Sequence, residues 1–220
     1  MARPQGAPDR AVMYVHGADV PGRNQTFAIH SGQTVIHRVI PADAQPAQLG
    51  DTVVTALSDN NARMSCLVIN AHGAGAGTVT LAGTRFRLEQ RKTSFEKMKP
   101  YFTAGAEIRI YACLFASETY FADSEMAEAW IPFEQDEHRN RGHGTEAMKK
   151  IAQVTGCTVL AGFDLQHGTS GRFIGPYVRC SPAGEIKVLQ GRGKSLRLKV
   201  GDLDALTSHY VSEGLSKIGL

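Results

Sequence analysis

The apolar run CLVINA (66–71), closed by His72 and Gly73, decides the reading of this chain. Unbroken apolar character without polar alternation suits a strand buried on both faces, at the centre of a parallel sheet. Further strand-like runs are AVMYVHG (11–17), EIRIYA (107–112), which delivers Cys113, and CTVLAGF (157–163). Helical stretches lie between these runs. Leu49, Val53, Val54, Leu57 and Met64 repeat at near-helical spacing across 44–64. TSFEKMKPYFTAG (93–105) offers Thr93 or Ser94 as a cap, Pro100 as a limit and Gly105 as a stop. TEAMKKIAQVTG (145–156) closes on Gly156. Strands alternating with helices predict an α/β fold, a three-layer sandwich with a mostly parallel central sheet.

Three hairpins decorate that plan. One falls within 25–40 through Ser31 and Gly32, one spans 78–86 and turns at Ala82 and Gly83, and one turns at Pro182 to Gly184. Residues 1–10 read as a loose arm and 11–220 as one domain, with the connection 114–143 as an insertion or lid and 203–220 as a closing amphipathic helix.

Composition sets the outer bounds. With 220 residues the chain can bury a full core, and 42% hydrophobic with 20% charged residues are globular values. No apolar run approaches the roughly 20 residues that span a bilayer, so no membrane partner is expected. The net charge, 24 − 21 = +3, is concentrated around Arg192, Lys194, Arg197 and Lys199, too weak and local a patch to imply nucleic acid. The N-terminus lacks an apolar signal segment, so a cytoplasmic protein, or one exported without a signal peptide, is expected. Cys66, Cys113 and Cys157 lie in or beside apolar segments, which favours free thiols over a disulfide framework.

The chemistry is carried by two strand ends. His72 and Cys113 each stand just past a buried strand, 113 − 72 = 41 residues apart, and ligands of open parallel sheets bind outside the carboxyl ends of the strands. An imidazole is the usual partner that turns a thiol into a thiolate nucleophile. Gly73 leaves room for a peptide backbone, and its N–H with that of Cys113 would donate to the oxyanion of a tetrahedral intermediate. His16 and Gly17 repeat the first half of this signal, so a histidine after a strand is weak evidence alone. Only His72 is followed by a glycine-rich turn, a hairpin, a helix and a strand ending in cysteine.

VINAHGAGAGTVTLAG (68–83), FEKMKPYFTAGAEIRIYACLFAS (95–117) and GHGTEAMKKIAQVTGCTVLAGFD (142–164) together resemble the clan CD cysteine peptidases, nearest to bacterial caspase-like domains and more distantly to gingipains, separase and caspases. The resemblance covers roughly 50–175, and its order, His before Cys, opposes that of papain. It implies a caspase-hemoglobinase fold and a cysteine endopeptidase acting on protein or peptide substrates without a cofactor. In it His72 polarises the scissile carbonyl or shuttles protons, and Cys113 attacks. The caspase QAC-x-G sequence is absent, since Cys113 is followed by Leu114 and Phe115. Asp164 stands where clan members often build the pocket for the residue before the cleaved bond, which points to Arg or Lys there; a turn-capping aspartate is an equal reading. Arg139 and Arg141 in the long connection would then suit self-cleavage.

Other readings stay open. His138, His143 and His167, with Asp136 and Glu137, fit no compact metal motif and read as solvated loop residues. A serine hydrolase is disfavoured because no G-x-S-x-G elbow occurs. A Cys/His acyl-transfer effector, of deamidase or transglutaminase type, and a non-cleaving caspase-like scaffold remain alternatives.

Overall fold

A computed structural model of the chain describes residues 9–20, 33–41, 43–73, 75, 77–81, 83–113, 115–116, 144–162, 166 and 172–191. Among them the mixed α/β architecture is plain. Seven strands form one sheet in the order β10-β9-β8-β7-β3-β1-β2. They are β1 (Asp9–Gly17), β2 (Val35–Ile40), β3 (Arg63–Asn70), β7 (Phe102–Tyr111), β8 (Thr158–Gly162), β9 (Pro176–Cys180) and β10 (Ile186–Gln190). β2, β1, β3, β7 and β8 run parallel, and β9 and β10 add an antiparallel hairpin at one edge. A second sheet of three short antiparallel strands, β4 (His72–Gly73), β5 (Thr78–Leu81) and β6 (Thr84–Arg87), sits beside it.

The helices α1 (Gln48–Asp59), α2 (Lys92–Met98) and α3 (Gly144–Thr155) pack with one face of the large sheet. Handedness explains this. The steps β2 to β3, β3 to β7 and β7 to β8 all advance in one direction across the sheet, and right-handed crossovers made in one direction fall on one side. Leu57, Phe95 and Ile151 from the three helices meet Met13, Ile69 and Ile110 there, all at 1% exposure or less. Burying each such side chain is worth about 1.5–3 kcal/mol. The opposite face carries a second apolar cluster that includes Val12, Tyr14, Val68 and Tyr111, with Phe173 stacked between Tyr111 and Tyr177 at centroid distances of 4.7 and 4.8 Å.

Several expectations are corrected in detail. The first helix is shorter than 44–64, because the chain leaves it at Asn60 and Asn61 (φ 47) to begin β3 at Arg63. Thr93 and Ser94 are not caps. Arg91 holds the N-cap position of α2, while Ser94 is buried in the helix against Gly50 and its hydroxyl reaches the Ala47 carbonyl at 3.4 Å. Gly105 does not stop a helix; it interrupts the register of β7 with φ 73. β1 begins at Asp9, inside the expected arm. β2 pairs in parallel with β1, and residues 25–32, where its hairpin was expected, lie outside the described ones. The hairpins at 78–86 and at Pro182 to Gly184 form as read, and so does the helix closed by Gly156, whose φ is 74.

Candidate functional site

The sheet changes its winding direction between β1 and β3. The chain steps from β1 to β2 on one side and then crosses back to β3, β7 and β8 on the other. In such sheets the carboxyl ends of the strands at the switch point, here β1 and β3, are the usual place for a ligand.

His72 stands on its rim. It is the first residue of β4, and it pairs with Thr80 of β5. Its ring is half-exposed, and Nε2 lies 3.3 Å from the Asp19 carbonyl oxygen and 3.9 Å from the Asp19 carboxylate. A carbonyl can only accept, so the proton belongs on Nε2 and the lone pair on Nδ1. The tautomer thus leaves Nδ1 as the basic nitrogen.

Asp19 escaped the sequence reading. It lies two residues beyond the end of β1, and the signal that could have found it was the His16-Gly17 ending set aside as a repeat of the later motif. His16 itself is structural. It is 1% exposed, its Nδ1 lies 3.1 Å from Asn70 Nδ2, and it packs on Tyr14 and His37. Burial, with the neighbouring His37 second, holds its pKa down at about 4.

Cys113 follows β7 on the adjoining strand end. A Cβ built on Gly73 would come within 2.5 Å of the Cys113 nitrogen and 2.8 Å of the Ala112 carbonyl carbon, so the two main chains touch. The Gly77 N–H donates to the Phe115 carbonyl at 2.9 Å, and the Phe115 N–H to that of Ala112 at 3.3 Å. These bonds tie the glycine-rich turn after His72 to the turn that carries the cysteine. Gly77 has φ 75 and faces the Ala147 methyl, so a side chain would fail there twice over.

Cys113 is half-buried, and Gln166 lies against its sulfur. The Gln166 N–H donates to Cys113 Sγ at 3.4 Å, and the Gln166 carbonyl lies 3.7 Å from the sulfur. Desolvation by burial is the largest influence on the thiol and pushes its pKa up, while the Gln166 N–H opposes this. Among the described residues His72 bonds Asp19 rather than the Cys113 sulfur, so the expected base and nucleophile are neighbours here without being joined.

No family model, curated protein or solved structure matches this chain. The remaining candidates divide simply. Cys66, Cys157 and Cys180 are free, buried thiols, as a core reading requires. Asp164 lies outside the described residues, as do His138, His143, His167, Asp136, Glu137, Arg139 and Arg141 and nearly all of the 114–143 connection. No helix among the described residues is long and apolar enough to cross a membrane, and none of their side chains group as a metal site.

Proposed function

We propose that the chain is a caspase-like cysteine endopeptidase in which Cys113 is the nucleophile and His72 the general base, with Asp19 orienting the imidazole. The contact between the Gly73 and Cys113 main chains supports this most directly, because it sets a basic nitrogen and a thiol on abutting turns at the ligand end of a parallel sheet. His72 Nδ1 takes the thiol proton, the thiolate adds to the peptide carbonyl, and the oxyanion is held by the N–H groups of Gly73 and Cys113. On collapse the C–N bond breaks, the amine leaves with the proton from His72, and water then hydrolyses the thioester.

The finer fold belongs to the same reading. A third layer over the Val12, Tyr14 and Tyr111 face would complete a caspase-type sandwich. Cleavage after Arg or Lys rests on Asp164 and its resemblance to clan pockets. Incubating wild type and Cys113→Ala with a mixed peptide library tests the function. Cleavage by wild type alone is expected; undiminished cleavage by Cys113→Ala overturns the nucleophile, and no cleavage by either favours a scaffold or a deamidase.

A further inference from the structure

The Gln166 main chain lies over the proposed nucleophile, with its N–H at 3.4 Å and its carbonyl oxygen at 3.7 Å from Sγ. A substrate backbone presents the same two groups to an attacking sulfur. Gln166 is in turn held by its own side chain. Its Oε1 accepts from the Ile174 N–H at 3.0 Å and its Nε2 donates to the Ile174 carbonyl at 3.0 Å, so one amide pairs with both polar groups of one residue as a neighbouring strand would.

Ile174 is a firm anchor for that pairing. Phe173 beside it is stacked between Tyr111 and Tyr177, and the Gly175 carbonyl accepts from the Gly191 N–H at 2.8 Å. The side-chain amide also fills the space above Gly162, where an added Cβ would fall 2.5 Å from Gln166 Cδ. Gly162 ends β8 and its carbonyl accepts from the Ala116 N–H at 3.0 Å, so β8, the cysteine turn and the approach to β9 all converge on this one residue.

We infer that Gln166 is a positioning residue that holds the Cys113 site closed, its main chain occupying the substrate's place over the sulfur and its side-chain amide fastening it to Ile174. Substrate must displace it. The function follows from geometry: two side-chain hydrogen bonds to a pinned segment are needed to fix a loop residue whose backbone contributes only a weak N–H to sulfur contact. As a device for selectivity, it admits only a chain that competes for the same main-chain groups. The inference rests on the proposal that Cys113 is the nucleophile, but its test does not require peptide cleavage.

The test compares alkylation of Cys113 by iodoacetamide in the folded protein, followed by peptide mass spectrometry, for wild type, Gln166→Met and Gly162→Ala. Methionine keeps the volume over Gly162 and loses both hydrogen bonds. Alanine at 162 instead pushes an intact glutamine amide aside. Both variants should label Cys113 faster by about tenfold to a hundredfold, the change in opening that the loss of two hydrogen bonds implies. Their rate against pH should shift to lower pH, because water re-entering the site relieves the dominant effect of burial; a purely structural role would change melting without that shift. Labelling at the wild-type rate in folded samples of both variants overturns the inference. Faster labelling in the variants with no peptide cleavage by any form upholds the role of Gln166 and overturns the peptidase reading alone.

Discussion

Replacing Gly73 by alanine probes the contact on which the proposed site depends. Gly73 lies in the short extended strand β4 and is not among the glycines with positive φ, so backbone conformation does not oppose alanine there. Space does. The new methyl would lie 2.5 Å from the Cys113 nitrogen and 2.8 Å from the Ala112 carbonyl carbon, and these main-chain atoms cannot rotate away. Restoring ordinary contact, about 3.5 Å or more between carbon atoms, requires the turns carrying His72 and Cys113 to separate by about 1 Å. Overpacking of this kind costs about 1–3 kcal/mol, and a displacement of about 1 Å between reacting groups costs roughly 100-fold in rate. Urea unfolding and peptide cleavage by the same samples measure the two effects. Gly156→Ala serves as a control, because Gly156 has φ 74 and open space around its Cβ position. It should lose about 1 kcal/mol from backbone strain and keep its activity. A Gly73→Ala protein as stable and as active as wild type would refute the argument that these turns are in contact.

Asp19→Ala should change folding stability by less than about 1 kcal/mol, because this acid and the His72 ring are both partly exposed and solvent weakens their attraction. Turnover should fall about three- to tenfold, since a carboxylate near an imidazolium is worth that fraction of the barrier at an exposed site; unchanged turnover in a steady-state assay removes the Asp19 carboxylate from the mechanism, because alanine keeps the carbonyl that His72 Nε2 meets. Stability should fall as pH drops from 6.5 towards 4, because the folded state keeps His16 neutral with a pKa of about 4 while the unfolded chain binds a proton near its ordinary value of 6.5. The loss is on the order of 2–3 kcal/mol, and urea midpoints of His16→Phe, flatter than wild type across that window, would check it. In alkali the sign reverses. Burial pushes the Cys66 thiol up to about 12 and the Cys157 thiol up to about 11, so stability should decline as pH rises above the ordinary thiol value of 9.0, and Cys66→Ala should soften that decline in thermal melts.

The parallel core was legible because CLVINA is apolar on both faces, while EIRIYA, with Glu107 and Arg109 alternating with Ile108 and Ile110, carries the two-residue period of a strand. The ends of elements were not. Ser94 looks like a helix cap from its neighbours alone, yet the close approach of Gly50 to its Cα and Cβ draws it into the helix interior, a tertiary constraint with no local sign. Gly105 reads as a helix stop for the same reason, although β3 recruits the chain from Phe102 onward by pairing Met64 with Phe102. His72 and Cys113 could be singled out as candidates because each stands two residues past the end of a parallel strand. Asp19 and Gln166 could not be ranked, since their importance comes from strand order: nothing in the sequence says that β1 lies beside β3, or that residue 166 turns back over the end of β7.

That order gives the site its logic. β1, β3, β7 and β8 are consecutive in the sheet, and the chain leaves them at Asp19, His72, Cys113 and Gln166. Each residue touches the next: Asp19 holds the ring of His72, Gly73 abuts the main chain of Cys113, and Gln166 covers its sulfur. Parallel strands lie about 4.8 Å apart, so the row extends about 14 Å, the length of roughly four extended residues. A peptide lying along this row would meet the proposed base, the proposed nucleophile and Gln166 in turn. It would have to take the place of Gln166 to reach the sulfur. The same layout turns His72 to Asp19 on one side and Cys113 to Gln166 on the other, so the proposed reaction needs Gln166 displaced before His72 Nδ1 can meet the thiol and take its proton.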